Sequence, residues 1–139
     1  MIAKVTVCCG IILAGLAVGL GAFGAHGWQE LLIANGRVDT FETAVRYLMY
    51  HALGLILFGL MLGILGSGKD AFARDSVSRS DGWAIAIAVC FVMGSLIFSG
   101  SLLILSLSNI RWLGAITPIG GVLQLAGWGL WLVWCWRGK

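Results

Sequence analysis

The residues best suited to chemistry lie in one stretch, Glu42 to Gly54, which carries charged, phenolic and imidazole groups into a long apolar run. Placed on a helix at about 100° per residue, one arc carries the polar side chains and glycine, namely Thr43, Tyr47, Tyr50, His51 and Gly54, with Arg46 at its edge. The opposite arc is apolar. Ionisable groups are costly inside a membrane, so this polar arc is predicted to face a protein interior or a site.

Further polar residues fall at the same predicted depth. His26 ends the first apolar run, and serines and a threonine interrupt the outer halves of the third and fourth. The predicted outer-half polar cluster comprises His26, Arg46, Tyr47, Tyr50, His51, Ser99, Ser101 and Thr117. Two interpretations stay open: a structural clamp between helices, or a ligand-binding site for a quinone, a lipid headgroup or a small solute.

Catalytic motifs are missing from the sequence. It contains no Ser-His-Asp order, HExxH, Walker loop or CxxC, and no Asp or Glu lies within an apolar run to carry protons. Two histidines without a nearby Cys or carboxylate are a weak metal or haem signal. We therefore expect no enzyme activity, no catalytic residues, no metal and no cofactor.

The elements that position these residues are membrane spans. The chain has 139 residues, 60% of them hydrophobic and 11% charged, with a mean hydropathy of +0.98, whereas soluble domains are about 25% charged. A span needs about 20 apolar residues. We predict an all-α membrane protein whose residues 1–139 form a single domain of two antiparallel hairpins, with spans at about 5–25, 44–66, 83–107 and 114–136. The first run is longer than a typical signal-peptide core.

Basic residues predict the orientation. Six lie on one side of the predicted membrane and three on the other: Lys4, Lys69, Arg74, Arg79, Arg137 and Lys139 against Arg37, Arg46 and Arg111. Both termini are therefore predicted to be cytoplasmic, with 66–82 as a solvated connector. Nucleic acid is not an expected partner, because no basic patch is interleaved with aromatic residues. The four cysteines show no disulfide pattern.

Small residues mark predicted helix-packing faces. Gly15 and Gly19 form one GxxxG pair and Gly59 and Gly63 another, while Gly120, Gly121 and Gln124 share a face of the fourth span. Such faces allow close backbone approach in a membrane. The expected partners are membrane lipids and other membrane subunits or a second copy of the chain.

Four motifs resemble one family in order and spacing. They are Gly21-Ala-Phe-Gly-Ala-His26, the segment from Tyr47 to Leu53, Phe98-Ser-Gly-Ser101-Leu102, and Thr117-Pro-Ile-Gly-Gly121 with Gly127-Trp128. They are similar to the family called domain of unknown function 423, which includes bacterial inner-membrane proteins and mitochondrial transmembrane protein 256. The resemblance implies a four-helix protein of the bacterial inner membrane and brings no established activity. The leading hypothesis is a noncatalytic accessory or structural subunit, and the alternative is a binding or transport module with an outer-leaflet pocket.

Overall fold

The computed structural model describes the backbone of 1–66 and 71–137 and the side chains of 1–65 and 82–137. Most of these residues are helical, and short turns join the helices. The helices are α1 (Ile2–Ala25), α2 (Gln29–Ala34), α3 (Val38–Gly66), α4 (Ala71–Ser108) and α5 (Thr117–Arg137), and a 3-10 helix (Arg111–Ala115) precedes α5. Four helical segments are long and apolar enough to cross a membrane: Ile2–Ala25, Val38–Leu65, Gly82–Ser108 and Arg111–Arg137. This confirms the prediction of an all-α protein with four such helices.

Glycines allow α1 to lie directly against α3. A Cβ atom on Gly10 would lie 2.8 Å from the carbonyl oxygen of Ala52, and one on Gly59 would lie 2.7 Å from Cγ2 of Val7. Neither distance is compatible with a real side chain unless the helices move apart. The close α1–α3 contact therefore requires glycine, which has no side-chain carbon, at positions 10 and 59.

The α4–α5 contact is equally close. A Cβ on Gly120 would meet the backbone of Phe98, and one on Gly127 would lie 2.8 Å from the ring of Phe91. Phe91 is fully buried, as is Phe58 on α3. The Phe91 ring thus fills the space that Gly127 leaves open on the facing helix.

The spanning helices pack as neighbours in the order α1, α3, α4, α5, and α1 makes only marginal contact with α4. The two middle helices are the more enclosed. About 39% and 33% of their apolar windows are buried, against 22% for the segments containing α1 and α5. The outer faces of α1 and α5 are therefore the most open surfaces of the described chain.

The turn between α2 and α3 contacts the C-terminal end of α4. Gly36 takes a φ of +64°, which glycine adopts without steric cost. Beside it the Asn35 side chain donates from Nδ2 to the carbonyl oxygens of Ser106 at 3.0 Å and Leu107 at 3.2 Å. These carbonyls belong to the last turn of α4, where helix geometry leaves them without intrahelical partners.

The prediction of a connector over 66–82 is wrong from Ala71 onward, because α4 begins there. Propensity differences among ordinary residues are fractions of a kcal/mol, whereas extending an existing helix adds one hydrogen bond per residue. Lys69 and Lys139 lie outside the described residues, as do the side chains of Arg74 and Arg79. Cys8, Cys9, Cys90 and Cys135 are free thiols.

Candidate functional site

His51 is the ionisable group held deepest among the described side chains, with 5% of its surface exposed. Its Nδ1 lies 2.8 Å from the carbonyl oxygen of Tyr47, one turn earlier on α3. Its Nε2 lies 3.3 Å from the indole nitrogen of Trp128 on α5. An indole N–H only donates, so Nε2 must accept, and the ring proton must sit on Nδ1. The neutral Nδ1–H tautomer therefore satisfies both nitrogens.

Aromatic rings enclose the imidazole. The ring of Tyr47 is stacked with it at 6.2 Å between centroids, and the rings of Phe91 and Trp128 lie at 5.6 and 6.2 Å. Trp128 reaches His51 across Gly54, where a Cβ would lie 3.4 Å from the indole. The arrangement joins α3, α4 and α5 at one depth.

A second polar contact joins α4 to the start of α5. The hydroxyls of Ser101 and Thr117 lie 2.8 Å apart, and each also lies near a carbonyl of its own helix or turn, Phe98 at 3.0 Å and Leu113 at 3.3 Å. Whichever hydroxyl donates to the other, the remaining proton has a carbonyl to bind. Both buried hydroxyls are therefore paired.

Ser99 is placed differently. It is 1% exposed, and its hydroxyl has no hydrogen-bond partner among the described residues; the same holds for the Ser95 hydroxyl and for Nε2 of Gln124. Gln124 packs against Gly94, where a Cβ would lie 2.8 Å from its Cγ. Buried polar atoms without a partner are costly, so these three positions are weak points in the internal pairing.

The remaining predicted site residues lie at the surface. Tyr47 and Tyr50 are 41% and 56% exposed. Arg46 is also exposed and lies 3.8 Å from the Glu42 carboxylate one turn earlier, and His26 is exposed at the end of α1. The eight residues of the predicted cluster thus divide into a buried group on α3, α4 and α5 and an exposed group on α1 and α3.

The predicted packing residues also divide. Gly59 lies against Val7, Gly120 and Gly121 lie against Phe98, and Gln124 lies against Gly94. By contrast, a Cβ on Gly15, Gly19 or Gly63 would meet no atom within 4 Å. The described chain therefore covers the first set and leaves the second set open.

Two contacts were missed by sequence reasoning. Helical spacing indicated the Trp128–His51 bond in part. Gly54 lies on the same arc of α3 as His51, and Trp128 lies on the same face of α5 as the packing residue Gln124. The Asn35 contact with α4 had no such signal, because it joins residues about 71 positions apart through a turn. Among the described residues, no three His, Cys, Asp or Glu side chains are close enough together to hold a metal ion.

Comparison with known proteins places this arrangement in a family. The model for the family described as protein of unknown function (DUF423) matches residues 20–121, which is more than half of the chain. The chain belongs to the DUF423 family. The DUF423 match contains His51 and the Ser101–Thr117 contact, while Trp128 lies beyond its end.

Relatives of the chain are similar over nearly their whole length. The UPF0382 membrane protein of Staphylococcus saprophyticus is 43% identical over 90% of this chain and 91% of its own. The UPF0382 membrane protein YwdK of Bacillus subtilis is 44% identical over 90% of each chain. No solved structure matches the chain. This DUF423 member is thus a membrane protein of an uncharacterised family.

Proposed function

We propose that the protein is a noncatalytic membrane protein that serves as an accessory or structural subunit of a larger membrane assembly. The observation that carries the proposal is the pairing of His51, Ser101 and Thr117 within the chain. His51 uses both ring nitrogens within the chain, on Tyr47 and Trp128. An imidazole held in this way clamps helices and has no free nitrogen for a substrate.

The open faces support the second half of the proposal. Gly15 and Gly19 lie one turn apart on α1, and among the described residues no atom outside their own stretch of helix lies within 4 Å of where their Cβ atoms would be. In lipid, helices associate through small residues that let backbones approach. A helix from another subunit could approach the α1 backbone closely at these two glycines, as α3 does at Gly10.

The orientation belongs to the same proposal. The four helices form two antiparallel hairpins in the bacterial inner membrane, with both termini cytoplasmic and α2 at the outer surface. The bias of Lys and Arg supports this orientation. The Arg137 guanidinium lies 5.1 Å from the Trp83 ring centroid, which supports a membrane interface at this end of the bundle, because Trp and Arg are both favoured at interfaces.

Native mass analysis of the full chain in mild detergent tests the proposal. We expect a species heavier than the monomer, and we expect Gly15→Leu with Gly19→Leu to convert it to monomer. Gly129→Leu is the matched control, because Gly129 on α5 is also open but belongs to no predicted packing face. A wild-type protein that is purely monomeric and without partners would overturn the proposal.

The alternative, a binding or transport module for a lipid, quinone or small solute, is less well supported when it is centred on His51. The imidazole is 5% exposed and bonded on both sides. The Tyr47 ring stacks against the imidazole but is 41% exposed, and Arg46 lies at the surface beside Glu42. A binding function therefore has to be sought elsewhere in the fold.

A further inference from the structure

A cleft of about 380 Å³ lies at the outer end of the bundle, between α1, α2 and the first turns of α3. Its volume is in the range of small-molecule sites, about 300–1,000 Å³. Its wall includes Gly21 and Gly24 of α1, and Phe41 and Val45 of α3. The two glycines contribute no side chain, so this wall offers a smooth apolar surface.

The rim of the same cleft carries opposite charges. Arg46 and Glu42 both line it, and their charged ends lie 3.8 Å apart with side chains 58% and 61% exposed. A solvated pair one helical turn apart is weak. Both groups are therefore available to a ligand that offers a better partner to each.

The depth of the cleft matches lipid headgroups. Trp28, at the start of α2, lies edge-on to Phe41 at 6.0 Å and near Phe23 at 5.3 Å. Tryptophan concentrates at the membrane–water boundary. Glu42 directly follows Phe41 on α3, and Arg46 directly follows Val45, so the charged rim runs beside the apolar wall from this level inward.

We propose that this cleft binds a phospholipid whose headgroup carries both a phosphate and a primary amine. The phosphate binds the Arg46 guanidinium, the amine binds the Glu42 carboxylate, and part of an acyl chain lies along Gly21 and Val45. The headgroup of phosphatidylglycerol carries the phosphate but no cation, so it would leave the Glu42 carboxylate without an ionic partner. Free phosphate would leave the apolar wall unused. This inference does not rest on the accessory-subunit proposal.

Native mass spectrometry of the full chain, with added phosphatidylethanolamine or phosphatidylglycerol of identical acyl chains, tests the site. We expect the wild type to retain phosphatidylethanolamine more strongly. Loss of one charge-assisted contact corresponds to about a tenfold loss of affinity, so Arg46→Gln should weaken retention by about that factor. Arg111→Gln is the control, since Arg111 is an exposed cation near the same end of the helix bundle and does not line the cleft.

Two further variants separate headgroup from acyl-chain recognition. Glu42→Gln should abolish the preference for phosphatidylethanolamine over phosphatidylglycerol. Gly21→Leu should fill the cleft and abolish retention, while Gly129→Leu, on an open face of α5, should not. Equal retention by Arg46→Gln and Arg111→Gln would overturn the proposal. Wild-type protein that retains phosphatidylglycerol at least as well as phosphatidylethanolamine would overturn it too.

Discussion

The indole N–H of Trp128 donates to Nε2 of His51 across 3.3 Å and links α5 to α3, two helices whose contacting residues are 77 positions apart in the chain. The bond closes a chain of contacts that runs from the Tyr47 carbonyl through the imidazole to the indole. The packing of α5 against α3 therefore depends in part on the position of the His51 ring.

Removing the donor should destabilise the bundle. Trp128→Phe leaves Nε2 of His51 buried without a partner, and interhelical hydrogen bonds in membranes average about 0.6 kcal/mol, with a maximum near 1.7. We expect a loss of about 1 kcal/mol in the free energy of unfolding, measured by denaturant titration in detergent. Trp136→Phe, at a site 78% exposed, should have no effect. A double-mutant cycle with His51→Phe should show positive coupling, and strict additivity would contradict the bond.

The tautomer of His51 can be observed directly. Because Nε2 accepts from Trp128, we expect Nδ1 to carry the proton. Nitrogen-15 NMR of labelled protein in bicelles should show a protonated, pyrrole-type Nδ1 and an unprotonated, pyridine-type Nε2. The opposite assignment would mean that the Trp128 indole does not donate to this ring. His26, at the end of α1, provides an exposed reference signal in the same sample.

Glycine contacts should separate covered from open positions. Gly120→Ala places a methyl group on the backbone of Phe98, and overpacking of this kind costs about 1–3 kcal/mol. Gly63→Ala meets no atom and removes a flexible residue from a helix, so it should be neutral or slightly stabilising. Unfolding of the two variants under identical detergent conditions makes the comparison. Equal stability would show that α4 and α5 are not in contact at Phe98.

The Asn35 side chain should protect the end of α4. Asn35→Ala removes the donor to the carbonyls of Ser106 and Leu107, at a cost of about 1 kcal/mol for the lost hydrogen bonding. We expect faster amide hydrogen exchange in the last turn of α4, with the α1–α3 contact unchanged. Gln29→Ala, an exposed residue of α2, is the control. Unchanged exchange near Ser108 would show that Asn35 does not hold this helix end.

Much of the fold could be predicted from sequence because membrane spans have a simple requirement, about 20 apolar residues in a row. All four spans were located on this basis. The start of α4 was not predicted correctly, because the Ser, Asp and Gly residues before Trp83 suggested a loop. Continuation of an existing helix outweighed those local preferences.

The candidate site shows the same division. Residue types and helical spacing alone determined that polar groups would occur on α3, α4 and α5, that Gly59 and Gly120 would favour close helix contacts, and that the family would be recognisable. Only tertiary structure decided that His51 turns inward to Trp128 while Tyr47 and Tyr50 turn outward, and that Arg46 joins Glu42 on the rim of a cleft with α1. Helical periodicity specifies which residues share a face, but the partner of that face depends on packing between segments distant in the chain.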